Sequence, residues 1–157
     1  MSAFKWSVAL CTVSVLAVGC AHAAQTSSSN NTVKISFANN RDDGPGKACT
    51  KELKWVFKAQ FHLKDMACGN DQAYWFKVEN FPSGALLWLA DDHHCADDGN
   101  FFFTVKGTKH PLGMEWMKIE ALDHYAVGDQ VTAGLRLESK KVNGQIHGKL
   151  SCFGYEY

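Results

Sequence analysis

Residues 85–105 read ALLWLADDHHCADDGNFFFTV, and this stretch decides the fold class. An uninterrupted apolar run, Ala85 to Ala90, is followed by a polar loop and then by the β-favouring run Phe101 to Val105. Short apolar runs bounded by turn-forming residues are typical of strands, and a run that is apolar at every position indicates a strand covered on both faces. The stretch therefore predicts two strands joined by the loop Asp91–Asn100.

Period-2 alternation of apolar residues extends from this stretch in both directions along the chain. The alternating segments are residues 33–37, 55–63, 74–78, 131–137 and 146–152. The dipeptide Asn143-Gly144 predicts a hairpin turn between the last two segments. Residues 114–122 are read as a further strand, although Met114, Met117 and Ala121 also fit a helical spacing. The pattern predicts an all-β fold, an antiparallel β-sandwich or small barrel of about eight short strands.

Length and composition fit one globular domain and exclude one class of partner. The chain has 157 residues, of which 46% are hydrophobic and 20% charged, so global disorder is excluded. Its 16 Lys and Arg residues are balanced by 16 Asp and Glu residues. Without a basic excess there is no electrostatic ground for binding nucleic acid. We predict a single domain over residues 32–157 and no nucleic-acid partner.

Residues 1–24 predict a secretory signal peptide. Lys5 supplies a positive charge, residues 6–18 form a short uncharged apolar run, and Ala21-His22-Ala23 fits the small-x-small cleavage rule. The apolar run is shorter than the roughly 20 residues of a transmembrane helix. The Ser- and Asn-rich residues 25–31 then read as a flexible linker. We expect an exported protein, periplasmic or extracellular, without a transmembrane segment.

Two other cleavage positions stay open. Cys20 ends a weak lipoprotein-like motif, and lipidation there would give an outer-membrane lipoprotein tethered by the linker. Cleavage after Ala21 would instead make His22 the N-terminal residue, which could chelate copper through its amine and imidazole.

Four cysteines follow the signal peptide and predict a disulfide framework. They are Cys49, Cys68, Cys95 and Cys152. An even number of cysteines in an exported domain indicates disulfides, here two. No C-x-x-C pair is present to start a zinc site or a catalytic redox site. Three pairings are open, and we favour Cys49–Cys68 with Cys95–Cys152.

Alternation sorts the tryptophans into interior and surface positions. Trp55 falls among apolar positions and Trp88 within the doubly covered strand, so both are assigned to the interior. Trp75 instead falls on the face that carries Lys77 and Glu79. That face is expected to meet solvent.

Trp116 is the second tryptophan with charged neighbours. If residues 114–122 form a strand, it shares a face with Met114, Lys118 and Glu120. A solvent-facing aromatic is commonly a recognition anchor, because its ring can stack on a sugar or fill a partner's pocket. We predict Trp75 and Trp116 as ligand-binding residues for a protein or glycan. The alternative is that a second sheet or a loop covers both rings.

The loop Asp91–Asn100 carries a dense cluster of metal-ligand side chains. The candidate ligands are Asp91, Asp92, His93, His94, Asp97 and Asp98. Carboxylates suit Ca²⁺ and imidazoles suit Zn²⁺ or Cu²⁺, so one reading is a bound metal ion. The spacing matches no known metal loop, and the competing reading is an acidic turn held by a Cys95 disulfide. No other cofactor is expected.

Enzyme motifs do not occur in the sequence. It contains no G-x-S-x-G, no G-x-x-x-x-G-K-[ST] and no G-x-G-x-x-G. We therefore expect a non-catalytic binding module that engages a protein or glycan through the exposed aromatics and the Asp91–Asn100 loop, with an inhibitor or protective protein against a secreted enzyme as one form. Two alternatives stay open. One is a small metal-binding protein or metal-dependent hydrolase that uses the Asp91–Asn100 loop, and the other is a structural envelope protein.

Overall fold

A computed structural model of the chain describes residues 31–55 and 58–157. Within these ranges the strands are β1 (Thr32–Ala38), β2 (Ala48–Lys54), β3 (Lys58–His62), β4 (Trp75–Glu79), β5 (Leu86–Ala90), β6 (Phe101–Gly107), β7 (Met117–Lys118), β8 (Gln130–Thr132), β9 (Leu135–Val142) and β10 (Cys152–Glu156). Two short 3-10 helices, η1 (Leu63–Asp65) and η2 (Ile119–His124), complete the elements. The all-β prediction is confirmed, with ten described strands in place of about eight.

The strands form two antiparallel sheets. The four-stranded sheet has the order β2-β1-β4-β7, and the six-stranded sheet has the order β3-β10-β5-β6-β9-β8. The stretch that decided the fold class gives the neighbouring strands β5 and β6, with Ala90 opposite Phe102 and Leu86 opposite Lys106. The loop 91–100 joins these two strands, as predicted.

Alternating apolar side chains from both sheets build one core. From the four-stranded sheet, Ile35, Phe37 and Phe76 are fully buried. From the six-stranded sheet, Phe103 and Phe153 are fully buried, and the rings of Phe37 and Phe153 lie 4.8 Å apart. Each such side chain contributes about 1.5–3 kcal/mol of transfer free energy. The sheets therefore pack face to face as a sandwich.

Strand β5 is covered on both faces, as its unbroken apolar run predicts. Leu87 and Leu89 point into the core and are fully buried. Trp88 points to the outer face but is only 7% exposed, because its indole lies over Gly154 of the neighbouring strand and Lys58 Nζ lies 5.2 Å from the ring. The outer cover is thus made by side chains of the same sheet.

Both favoured disulfides are present. Cys49 of β2 is bonded to Cys68, with Cα atoms 5.5 Å apart, and Cys95 of the loop 91–100 is bonded to Cys152 of β10, with Cα atoms 5.2 Å apart. The first disulfide links β2, an edge strand of the four-stranded sheet, to the segment after η1. The second holds the acidic loop against the six-stranded sheet.

The predicted Asn143-Gly144 hairpin is wrong. Residues 145–150 form no strand, and β10 begins only at Cys152, where it pairs with β3 and β5. Strand β6 pairs with β9 from Leu135 to Val142, whereas β8 pairs only with Leu135 and Arg136 on the other side. The backbone N–H groups of Asn143 and Gly144 instead donate to the carbonyl of Asn100, at 2.7 and 3.1 Å.

Two other predicted strands are shorter than expected. Of residues 114–122, only Met117 and Lys118 are in a strand, and η2 follows at once because Ile119 and Leu122, three residues apart, both turn into the core. The segment 131–137 is divided between β8 and β9 by Gly134, whose φ of +103° takes the chain out of the extended conformation.

Some predictions fall on residues that the structure does not describe. The signal peptide 1–24, with Cys20 and His22, and residues 25–30 of the linker all lie outside the described residues. In the part of the chain that is described, no helix is long and apolar enough to cross a bilayer.

Candidate functional site

The outer face of the four-stranded sheet carries the first predicted recognition residue. Along β4, Phe76 and Val78 point into the core, so Trp75, Lys77 and Glu79 point outward. In the neighbouring β1, Ser36 lies opposite Lys77 and its hydroxyl is hydrogen-bonded to Thr50 of β2 at 2.8 Å. Apart from Trp75 and Ala38, which lies opposite it, the outward side chains of β1 and β4 are polar.

Trp75 is half-buried and held in place. Its indole N–H donates to the backbone carbonyl of Asn40 at 2.7 Å. Lys118, directly opposite in β7, places Nζ 5.4 Å from the ring centre. A cation at that distance from an exposed ring contributes about 0.5–1 kcal/mol. The ring is therefore fixed on the outer face of the sheet beside the ammonium of Lys118, which also pairs with Glu120 at 3.6 Å.

Trp116 immediately precedes β7 and is also half-buried. Met117 packs against the core while Lys118 lies over Trp75, so alternation places Trp116 on the side of Lys118. The expected shared face with Met114 is wrong, because Met114 is buried in the core. The pairing of β4 with β7 nevertheless brings the segments of both tryptophans to the same sheet edge.

A groove of 460 Å³ adjoins this face. It is lined by Lys77, Glu79, Lys109, Gly113, Met114, Glu115, Thr132 and Ala133. Lys77 and Glu79 extend the outward row that begins at Trp75, and Glu115 immediately precedes Trp116. We call the face of Trp75 and Trp116 together with this groove the sheet-edge surface. Its aromatic and charged groups are of the kind that ligand sites combine.

The loop Asp91–Asn100 uses its first two carboxylates to hold itself together. Asp91 accepts hydrogen bonds from the backbone and side-chain amides of Asn100, and Asp92 accepts from the backbone N–H groups of His94, at 2.7 Å, and Ala96, at 3.2 Å. Desolvation raises the pKa of Asp92, but these donors and the nearby imidazoles outweigh it and lower the pKa overall. The loop is an acidic turn closed by its own side chains.

No metal-binding group forms among the described residues. No three His, Cys, Asp or Glu side chains in these ranges converge closely enough to hold a metal ion. The ring centres of His93 and His94 lie 4.0 Å apart on the exposed loop, with their planes tilted by 42°. Asp97 accepts a hydrogen bond from Lys141 through its backbone carbonyl. Asp98 is exposed. The six predicted ligands therefore show no convergence that would support the metal reading.

The predicted loop and the predicted tryptophans lie on different sheets. The loop joins β5 to β6 of the six-stranded sheet, whereas Trp75 belongs to the four-stranded sheet. A ligand that uses Trp75 and Trp116 would therefore meet the sheet-edge surface and not a surface shared with the loop.

A second cavity, of 280 Å³, contains a histidine–carboxylate pair. Its polar lining includes Glu120, Asp123, His124 and His147, with Nδ1 of His147 in close contact with Oε2 of Glu120. Such a pair is found in general-base catalysis, but a hydroxyl or thiol nucleophile does not line this cavity in the described residues. The pair links η2 to the irregular segment before β10.

Several groove residues were not identified from the sequence. Alternation gave the outward direction of Lys77 and Glu79, but Lys109 and Glu115 come from an irregular segment with no periodic signal. The most exposed large apolar residues, Val127 at 58% and Tyr157 at 48%, were also not singled out. Tyr157 packs its ring 5.1 Å from Trp55, which accounts for its ordered position.

The geometry leaves two candidate sites, the sheet-edge surface with its two tryptophans and the cavity around Glu120 and His147. The first combines aromatic rings with charges of both signs, and the second lacks a nucleophile among its described lining residues. Comparisons with protein families, with curated proteins and with solved structures gave no match for this chain.

Proposed function

We propose that this chain is an exported, non-catalytic binding module that recognises a protein or a glycan through the sheet-edge surface. The observation that carries the proposal is the placement of Trp75 on the polar outer face of a sheet, next to Lys118 and a charged groove. A half-buried tryptophan that is held by a hydrogen bond beside a charged groove is the kind of aromatic that interfaces use as an anchor.

The ring of Trp75 is suited to recognition because its position is already fixed. The bond to Asn40 and the pairing of β4 with β7 hold it before any ligand arrives. Lys118, which pairs with Glu120 at 3.6 Å, places a positive charge where an anionic group on the ligand would meet it. A fixed aromatic loses little conformational entropy on binding.

The rigidity of the whole domain supports the same role. Two disulfides and a core shared by both sheets limit the motions of the outer surface. A small, rigid, disulfide-bonded domain can act as an inhibitor or a protective protein against a secreted enzyme, because rigidity lowers the entropic cost of association. We include this form in the proposal.

Export is supported by the cysteine chemistry. Disulfides persist in oxidising compartments such as the periplasm and the extracellular space. The residues 1–24 read as a signal peptide, and soluble release or lipidation at Cys20 are the two outcomes for the mature chain. The intact mass of the protein purified from its native host distinguishes them.

The test uses a panel of immobilised glycans and a phage-displayed peptide library. Wild type is compared with Trp116→Ala, with the double variant Trp75→Ala/Trp116→Ala, and with the control Tyr157→Ala, which removes an exposed aromatic elsewhere. We expect wild type and the control to bind the same members of the panel. The double variant should bind about tenfold or more weakly, as is typical of aromatic anchors.

Folding is checked in parallel, since Trp75 also contacts Asn40 and Lys118. Each variant should keep the near-ultraviolet circular dichroism of its remaining aromatic residues and a cooperative urea transition. Equal binding by wild type and a folded Trp116→Ala and double variant would contradict the proposed surface. Absence of any bound glycan or peptide would contradict the binding-module function.

A further inference from the structure

The groove beside the two tryptophans is lined by two lysines and two glutamates. Lys77 and Glu79 form an ion pair at 3.2 Å on one wall. Lys109 and Glu115 also line the groove, and no ion pair joins either of them to another described residue. One unpaired ammonium and one unpaired carboxylate therefore face the same open volume.

The position of Lys109 follows from a glycine. Gly134, at the turn between β8 and β9, has no side chain, and a Cβ there would lie 2.7 Å from Cγ of Lys109. The aliphatic stem of Lys109 therefore rests on Gly134, and its ammonium is exposed at the groove. The cation is partly preorganised before a ligand arrives.

The rest of the groove lining is aliphatic and small. Met114, Gly113 and Ala133 are present, and no aromatic side chain is among the lining residues. A sugar ring is held mainly by stacking on an aromatic face, which this groove does not offer. A methionine adapts its shape to different aliphatic and peptide groups. This lining favours a peptide over a glycan within the groove.

The groove also lies where an edge strand of each sheet is close to the other. Thr132 ends β8, the terminal strand of the six-stranded sheet, and residues 113–115 lead into β7, the terminal strand of the four-stranded sheet. Terminal strands have one backbone edge without a strand partner, and an extended peptide can lie along such an edge.

Resting on the proposed function, we propose that the groove binds an extended peptide segment of a partner protein that carries an acidic and a basic side chain a few residues apart. The acidic side chain pairs with Lys109 and the basic side chain with Glu115. An adjacent apolar side chain of the peptide packs on Trp116, which directly follows Glu115. The tryptophans then supply affinity, and the groove supplies charge selectivity.

The experiment is selection from a phage-displayed library of random heptapeptides against wild type, Lys109→Glu, Glu115→Lys and the double variant with both changes. Lys54→Glu, an exposed lysine at the end of β2, serves as the control. We expect wild type and the control to enrich peptides with one Asp or Glu and one Lys or Arg. Each single variant should bind these peptides about fivefold more weakly, as for an exposed ion pair replaced by repulsion.

The double variant sharpens the test because it keeps the net charge. It should enrich peptides in which the order of the acidic and basic side chains is reversed. Enriched peptides without paired charges, or binding that Lys109→Glu and Glu115→Lys leave unchanged, would overturn the peptide assignment. Tryptophan-dependent binding to glycans with no enriched peptide would overturn it while the binding-module function stands. If neither peptides nor glycans bind, the peptide assignment and the binding-module function are both overturned.

Discussion

At the scale of single residues, Gly154 explains how an exposed sheet face keeps a tryptophan out of water. The indole of Trp88 lies against the Gly154 backbone, and a Cβ at Gly154 would be 2.0 Å from the ring. Lys58 covers the other side of the same ring. The space for the indole exists because residue 154 has no side chain. Alternation of apolar residues in the sequence does not reveal such a space.

Replacing Gly154 tests whether the Trp88 indole needs this space. Gly154→Ala should lower the free energy of unfolding by about 1–3 kcal/mol, because the added methyl displaces the Trp88 indole in a packed layer. Urea unfolding followed by tryptophan fluorescence measures the loss. The control is Gly113→Ala, where a Cβ meets no atom within 4 Å. Equal stability of the two variants would contradict this role of Gly154.

The contact between Glu120 and His147 makes the free energy of unfolding depend on pH. Desolvation raises the pKa of Glu120, but His147 and Lys118 outweigh it, so the pKa lies below its ordinary value of 4.5. The unfolded chain therefore binds the proton more tightly than the folded chain. The stabilisation is complete above the unfolded pKa and is lost as the pH falls through the lower folded pKa.

Glu120→Gln removes this acid-dependent contribution. Between about pH 5 and about pH 3, the unfolding free energy of wild type should fall more steeply than that of Glu120→Gln. Urea titrations at a series of pH values give both slopes. Glu115→Gln, whose carboxylate forms no ion pair with a described residue, should fall as steeply as wild type. Parallel curves for wild type and Glu120→Gln would show that the pair does not stabilise the fold.

At the scale of elements, the sequence predicted strands well where one face is apolar and failed where tertiary contacts decide. The unbroken run from Ala85 gave β5, and the alternation around Phe76 gave β4. Asn143-Gly144 has the chemistry of a hairpin, yet its backbone N–H groups donate to the carbonyl of Asn100, and the next strand, β10, pairs with β3 and β5 instead of β9. The partners of β10, β3 and β5, are distant from it in sequence, so local turn chemistry could not predict this pairing.

The two disulfides close loops of different length in the sequence. Cys49–Cys68 closes a loop of 19 residues in sequence separation and Cys95–Cys152 one of 57. In the chain-entropy account, removing them by paired Cys→Ala substitutions should cost about 3 and about 4 kcal/mol respectively. Urea unfolding of the two double variants measures both losses. A larger loss for Cys49→Ala/Cys68→Ala would contradict the loop-length explanation.

At the scale of the whole molecule, the sandwich separates the features that looked like one site in the sequence. The segments that carry Trp75 and Trp116 lie at the same edge of the four-stranded sheet, while the acidic loop is held against the six-stranded sheet by Cys95. Alternation predicted that Trp75 faces outward. It could not predict the groove, because Lys109 and Glu115 reach it from an irregular segment. The site depends on how the two sheet edges meet.

The most direct measurement is a ¹H–¹⁵N spectrum of the tryptophan indole N–H groups during titration with the tightest peptide or glycan of the panel. Residues 31–157 contain four indoles, Trp55, Trp75, Trp88 and Trp116. Trp88 is buried, and the indole nitrogen of the half-buried Trp55 is shielded from solvent, so these two serve as internal controls. We predict that the signals of Trp75 and Trp116 shift with ligand concentration while those of Trp55 and Trp88 stay in place. Shifts only in the signals of Trp55 and Trp88, or no shift of any indole signal, would contradict recognition through the sheet-edge surface.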